Sequence, residues 1–216
     1  MVPVFTLTLA PSLDSATVTP QIYPEGKLRC TAPVFEPGGG GINVARAISH
    51  LGGNATALFP AGGATGEHLT ALLEEENVSV DTISSHDWTR QNLHVHVEAS
   101  GEQYRFVMPG AHLSQDEFRQ LEEKVLAIES GALLVVSGSL PPGVDLADFT
   151  QLIARAQQNG LRCIIDSSGE ALAAALDIGG IELVKPNQKE LAALVGRDLT
   201  QPDDVRQAAQ ELVRSG

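Results

Sequence analysis

Short apolar runs alternate with longer stretches of helical period along most of the chain. Residues 4–9, 55–60, 133–137, 163–166 and 181–185 read as strands, and residues 67–76, 117–128, 146–158 and 190–195 as helices. A further helical face, Ile42, Ala45, Ile48 and Leu51, opens directly after Gly38-Gly39-Gly40-Gly41. Strand and helix in such succession predict an α/β fold with a mostly parallel sheet and helices on both faces. Two stretches break the succession. Residues 17–32, with a Pro24-Glu25-Gly26 turn, and residues 92–107, alternating about Ser100-Gly101, read as hairpins. Paired strands inserted between βα units predict a small separate sheet over the main one. A sheet that small is marginal alone, so it packs on a partner or closes over a ligand.

Composition narrows the class. With 216 residues, of which 43% are hydrophobic, the chain can bury a sizeable core. Its length corresponds to roughly 1.4 domains, or one α/β domain carrying an appendage. Fourteen Lys and Arg stand against 27 Asp and Glu, a formal net charge of −13. So acidic a protein is a poor partner for nucleic acid, whose phosphates are bound through Lys and Arg. Any anionic small substrate must instead be met by a few local cations. The two cysteines, Cys30 and Cys163, fit no zinc or CxxC spacing and suit a reducing cytoplasm. Residues 1–10 lack the basic start and apolar length of a signal peptide. No apolar run approaches the ~20 residues that span a bilayer. The expectation is a cytoplasmic protein with neither a membrane nor a nucleic-acid partner.

The strongest local signal is the run Gly38-Gly39-Gly40-Gly41-Ile42-Asn43. Glycines just before a helix let backbone approach a ligand and leave N-terminal N–H groups for an anion or hydroxyl. Asn43 adds a side chain that both donates and accepts. The run fits neither the dinucleotide pattern GxGxxG nor the P-loop GxxxxGKS/T. Val44 or Asn43 stands where the third glycine would be, and Gly26-Lys27 is followed by Leu28. Polar groups follow the strands: Asp14, Ser139, Asp166 and Asn187. In open parallel sheets ligands sit outside these carboxyl ends. Asn187-x-x-Glu190 fits a helix capping box as well as a ligand motif. Arg90 and Arg105 lie beside or within the second hairpin and Lys27 in the first; each alone reads more readily as a solvated charge than as a ligand contact. His94 and His96 share a strand face but have no third ligand at matching spacing.

Taken in order, these residues resemble the ribokinase-like (PfkB) family of sugar kinases. The loop from Gly38 to Asn43, continuing through Leu51-Gly52-Gly53 to Gly62-Gly63, is similar to that family's first signature. Asn187-x-x-Glu190 is similar to its magnesium and phosphate motif, and the hairpins, at about 15–34 and 91–108, to its β-lid. The resemblance implies a three-layer α/β/α fold and ATP-dependent phosphorylation of a sugar phosphate. It implies Asp14, Gly39 and Asn43 on the sugar, and Arg90, Arg105 and Ser139 on its phosphate. Lys27, Lys185 and Asn187 would meet ATP, Glu190 would orient Mg2+ through water, and Asp166 is a further candidate there. Relatives acting on tagatose 6-phosphate or fructose 1-phosphate usually carry lysine where this loop has Gly40, which favours fructose 6-phosphate here. The lid often also forms a dimer interface, so a homodimer is expected. The family's second signature, a Gly-Ala-Gly-Asp run that supplies the catalytic base, is absent, because no Gly-x-Gly-Asp occurs in the 216 residues. The chain closes on Leu212-Val213-Arg214-Ser215-Gly216, a helix end where the family pattern continues into another strand. The resemblance therefore implies an incomplete domain over residues 1–216. Its catalysis is completed elsewhere, or it is a non-catalytic sugar-phosphate-binding or dimerising protein.

Overall fold

An apolar run without alternation is satisfied only when helices cover both sides of its sheet, and the chain folds accordingly. The structure, a computed structural model, describes residues 2–215. Along it run β1 (Val4–Leu7), β2 (Ser12–Thr19), β3 (Val34–Gly38), α1 (Gly40–His50), β4 (Thr56–Ala61), α2 (Gly63–Glu75) and β5 (Ser79–Ser84). Then come β6 (Arg90–Val97), β7 (Gln103–Phe106), α3 (Gln115–Leu126), β8 (Leu133–Ser137) and α4 (Leu146–Gln158). The rest comprises β9 (Arg162–Asp166), α5 (Gly169–Ile178), β10 (Leu183–Val184), α6 (Gln188–Val195) and α7 (Pro202–Ser215). Gly216, the last residue of the expected helix end, lies outside the described residues.

Six strands form one sheet in the order β10-β9-β8-β1-β4-β5, and every neighbouring pair is parallel. On one face Ile42 and Ala45 of α1 and Leu69 and Leu73 of α2 pack on Ala57 and Phe59. On the other, Leu121, Phe149, Leu152 and Leu172 from α3, α4 and α5 pack on Leu7 and Leu134. Each such fully buried Leu or Phe contributes about 1.5–3 kcal/mol. The layers are those of an α/β/α sandwich. No helix among the described residues is long and apolar enough to cross a membrane.

Three details differ from the sequence reading. Leu51 is not on the buried face of α1: it follows the helix and is 87% exposed. Nine residues separate it from Ile42, about two and a half helical turns, which points it the opposite way. β1 ends at Leu7, two residues short of the expected limit, and Thr8 makes one further ladder bond to β4. Its N–H donates to Leu58 O at 3.0 Å and its Oγ1 accepts from Ile42 N–H at 3.0 Å. The first hairpin is also displaced. β2 begins at Ser12, its return strand is β3, and residues 20–33 form an exposed connection between them. The buried positions of β2 include Ser15, Thr17 and Thr19, hydroxyl residues that hydropathy does not mark. Ser15 Oγ donates to Asn92 O (2.9 Å) and Thr17 Oγ1 to Thr31 O (2.8 Å).

The two hairpins fuse into a single second sheet, ordered β3-β2-β6-β7. Both hairpins are antiparallel within themselves, but β2 and β6 run parallel, in register from Ser12↔Arg90 to Thr19↔Val97.

Between α1 and α2, Arg46 Nε and Nη2 each donate to a Glu76 carboxylate oxygen at 2.7 Å. This fork holds the Glu76 carboxyl below the usual carboxylate range and raises Arg46. A depressed carboxylate adds stability that is complete above the unfolded value of ~4.3 and is lost as pH falls through the folded one. Melting temperature measured from neutral pH downward is therefore expected to favour the native protein over Glu76→Gln, with the gap closing below about pH 4. Curves that stay parallel would contradict the assignment.

Candidate active site

The carboxyl ends of the parallel strands open on the same side as the start of α1. Gly39 is the N-cap of α1 with φ 123° and contributes no side-chain cap, a backbone state that L side chains rarely adopt. Gly40, in the first turn, lies against the end of β8. A Cβ there would come within 2.2 Å of Ser137 Oγ and 2.9 Å of the Ser137 carbonyl carbon. The helix N-terminus, a natural anion or hydroxyl site, is thus pressed onto the middle of the sheet. Asn43 follows in the first turn, exposed.

The lid supplies a carboxylate and a guanidinium. Asp14 Oδ1 accepts from Ser12 Oγ (2.7 Å) and Asn92 Nδ2 (2.8 Å), and its Oδ2 has no partner among the described residues. A carboxylate oriented through one oxygen presents the other to ligand hydroxyls. Asn92 is itself fixed, its Oδ1 accepting from Met108 N–H at 3.0 Å. On the neighbouring strand Arg90 donates to Met108 O (2.8 Å) and Ala10 O (3.0 Å), while its Nε is buried without a partner. Burial lowers the Arg90 pKa, against the smaller opposing pull of Asp14. A partly desolvated guanidinium bonded only to neutral carbonyls favours an anion that would complete its charge.

Arg105 shares the lid face of Asp14 and Arg90 through the pairs Ala16↔His94 and His94↔Arg105. Its guanidinium is exposed and bonded to Gln103 Oε1. Ser139 is exposed on the loop after β8. Lys27 lies in the exposed 20–33 connection, and no contact among the described residues joins its side chain to the cleft.

A second cluster occupies the ends of β8, β9 and β10. Ser137 Oγ donates to Asp166 Oδ2 (3.0 Å), and Lys185 Nζ pairs with Asp166 Oδ1 (3.1 Å). Beyond it, Asn187 Oδ1 accepts from Lys189 and Glu190 N–H, and Glu190 Oε2 accepts from Asn187 N–H at 2.7 Å. The capping box is therefore formed, a device that contributes about 1 kcal/mol to a helix. A cavity of about 640 Å³ lies beside it, lined in part by Lys189, Asp198 and Thr200. No cluster of three or more His, Cys, Asp or Glu side chains suited to a metal occurs among the described residues. Magnesium keeps several waters and takes one or two carboxylates together with substrate phosphates. Glu190, with Oε1 outside the cap bond, fits that requirement.

Sequence reasoning named residues at the two ends of this cleft and left out those between them. Asn92, Ser12, Thr8 and Ser137 orient the groups that were found. Asn92 had a readable signal, standing two residues from Arg90 on one strand face. Ser137 had none, because only the fold brings it beneath Gly40.

Polar groups of the lid, Asp14, Asn92 and Arg90, thus stand near the N-terminus of α1 and the polar carboxyl ends of the parallel sheet, an arrangement suited to a small polar or anionic ligand. Fold and cleft together point to the class of kinases that act on a small carbohydrate. Residues 7–216 match the pattern of the pfkB family carbohydrate kinases, and the chain belongs to that family. It is 80% identical to ATP-dependent 6-phosphofructokinase isozyme 2 of Escherichia coli (strain K12), over 100% of this chain and 70% of that protein. It is 43% identical to the isozyme 2 of Mycobacterium tuberculosis (strain CDC 1551 / Oshkosh), over 99% of this chain and 62% of that protein. The solved phosphofructokinase-2 from E. coli in complex with fructose-6-phosphate superposes with a TM-score of 0.97 at 80% identity, covering 100% of this chain and 71% of that one. The tetrameric inhibited form of the same protein superposes with a TM-score of 0.96 at 80% identity over the same shares.

Proposed function

We propose that the protein serves ATP-dependent phosphorylation of fructose 6-phosphate to fructose 1,6-bisphosphate, a glycolytic step in the cytoplasm. The observation that carries this reading is the 80% identity, over the whole chain, to the E. coli isozyme 2. Gly40 is in keeping with it, since glycine stands here where relatives acting on tagatose 6-phosphate or fructose 1-phosphate usually carry lysine.

In this reading Asp14 Oδ2, the Gly39 backbone and Asn43 hold the sugar hydroxyls. Arg90, with Arg105 and Ser139, holds the sugar phosphate through guanidinium forks matched to phosphate oxygens. Lys185 and Asn187, with Lys27 from the lid, take the ATP phosphates. Glu190 holds Mg2+ through water, and the ion, when bound, neutralises charge on the phosphates. The aspartate that the family resemblance implies as base, in a Gly-Ala-Gly-Asp run, has no counterpart in the 216 residues, and Asp14, Asp166 and Glu190 are taken here for sugar, lysine and magnesium. Leu93, Tyr104 and Phe106, 36%, 40% and 47% exposed on β6 and β7, form an apolar lid surface suited to a second copy, and we place a homodimer contact there.

A non-catalytic sugar-phosphate-binding or dimerising protein is the second reading, favoured by the absence of any Gly-x-Gly-Asp run in the 216 residues. Calorimetry of the purified chain with fructose 6-phosphate, tagatose 6-phosphate and fructose 1-phosphate, alongside ADP release in MgATP, separates the possibilities. The chain is expected to bind fructose 6-phosphate in preference and to release no ADP. Fusion to the part of the E. coli isozyme that it does not span is expected to restore sugar-dependent turnover. A fused protein that binds but never turns over would favour the second reading. Preference for fructose 1-phosphate would overturn the substrate assignment.

A further inference from the structure

Arg46 does more than tie α1 to α2. While two of its nitrogens grip Glu76, the third, Nη1, donates to the carbonyl of Pro37 at 3.2 Å. Pro37 belongs to the edge strand of the lid and directly precedes Gly38 and Gly39. Arg46 lies one helical turn beyond Asn43 on the other side of the same loop. A single guanidinium therefore spans the two-glycine connection, joining the last part of the lid to the helix that carries Asn43. Glycine-rich backbone loses the most conformational freedom on ordering. A loop that must hold a sugar benefits from being ordered before the sugar arrives.

We propose that Arg46, oriented by Glu76, is a positioning residue that clamps the Gly38–Gly39 connection and presets the sugar-binding loop. The Glu76 fork fixes the guanidinium plane, so that Nη1 can point only at Pro37. Lysine in its place could serve Glu76 or Pro37 but not both, because an ammonium lacks the rigid fork. The proposal rests on the reading of Asp14, Gly39 and Asn43 as the sugar site.

The test uses the 216-residue chain with fructose 6-phosphate as probe, comparing Arg46→Lys with the unmodified protein and with Asp145→Ala. The last removes the cap of α4, a site away from the loop, and controls for simple loss of stability. Arg46→Lys is expected to weaken sugar-phosphate binding about tenfold, the worth of one charge-assisted hydrogen bond. It is also expected to speed amide hydrogen exchange across residues 38–43. Asp145→Ala is expected to change neither. Unchanged affinity and exchange in Arg46→Lys would overturn the proposal, as would an equal loss of binding in Asp145→Ala. If the unmodified chain does not bind fructose 6-phosphate, the sugar-site reading fails, and exchange over residues 38–43 still decides the clamp.

Discussion

A Gly40→Ala variant is expected to melt about 2–4 °C below the native protein, and Gly40→Lys lower still. The added Cβ of either residue would stand 2.2 Å from Ser137 Oγ, 2.9 Å from the Ser137 carbonyl carbon and 3.0 Å from Gly138 N. Two of those three atoms are backbone in a central strand and its exit, and the hydroxyl is held by Asp166 at 3.0 Å. The helix must then withdraw, against the bond from Ile42 N–H to Thr8 Oγ1. Overpacking of this kind costs ~1–3 kcal/mol. Alanine recovers roughly 0.5–1 kcal/mol through helix propensity, leaving a net loss of about 1 kcal/mol, which sets the shift in a chain of this size. Withdrawal also moves Gly39 and Asn43, so fructose 6-phosphate affinity falls with stability. Thermal denaturation and calorimetry check both. A Gly40→Ala protein that melts at or above the native temperature would show that the contact is not closed.

The second large effect is on binding. Arg90→Ala is expected to weaken fructose 6-phosphate binding by about 10- to 150-fold, the loss of charge-assisted bonds of ~1.5–3 kcal/mol. The weak binding of unphosphorylated fructose should stay unchanged. The expectation follows from an Arg90 guanidinium that contacts two neutral carbonyls and leaves Nε buried and unpartnered. Asn43→Ala should act on fructose and fructose 6-phosphate alike, because it touches hydroxyls. If both variants bind fructose 6-phosphate as the native chain does, the site formed by loop and lid is in the wrong place.

The parallel sheet and its covering helices were legible because residues 133–137 and 146–158 carry periodicity strong enough to fix type and limits. β5 was not legible: Ser79-Val-Asp-Thr-Ile-Ser84 is an edge strand, and its polar residues satisfy water as readily as a ladder. α5 opens on Gly169 and is largely alanine, which gives little amphipathic contrast. The lid was visible as two hairpins, but not their union. Nothing local in residues 12–19 or 90–97 specifies parallel pairing with the other. The same limit applies to the site. Asp14, Asn43 and Arg90 stand out by residue type and place, whereas Arg46 and Ser137 acquire their roles only from neighbours distant in the chain.

That union of hairpins orders events in time. Asp14 and Asn92 are 78 residues apart, and Ala10 and Arg90 are 80 apart, so the lid closes only after the intervening βα units have been threaded into place. Closing a loop that long precedes any reward from the contacts within it. The sugar-binding groups are therefore expected among the last to meet as the chain folds and among the first to part as it opens. A sugar phosphate bound across them draws its effect from the completed state, slowing unfolding while leaving the climb to the folding barrier untouched.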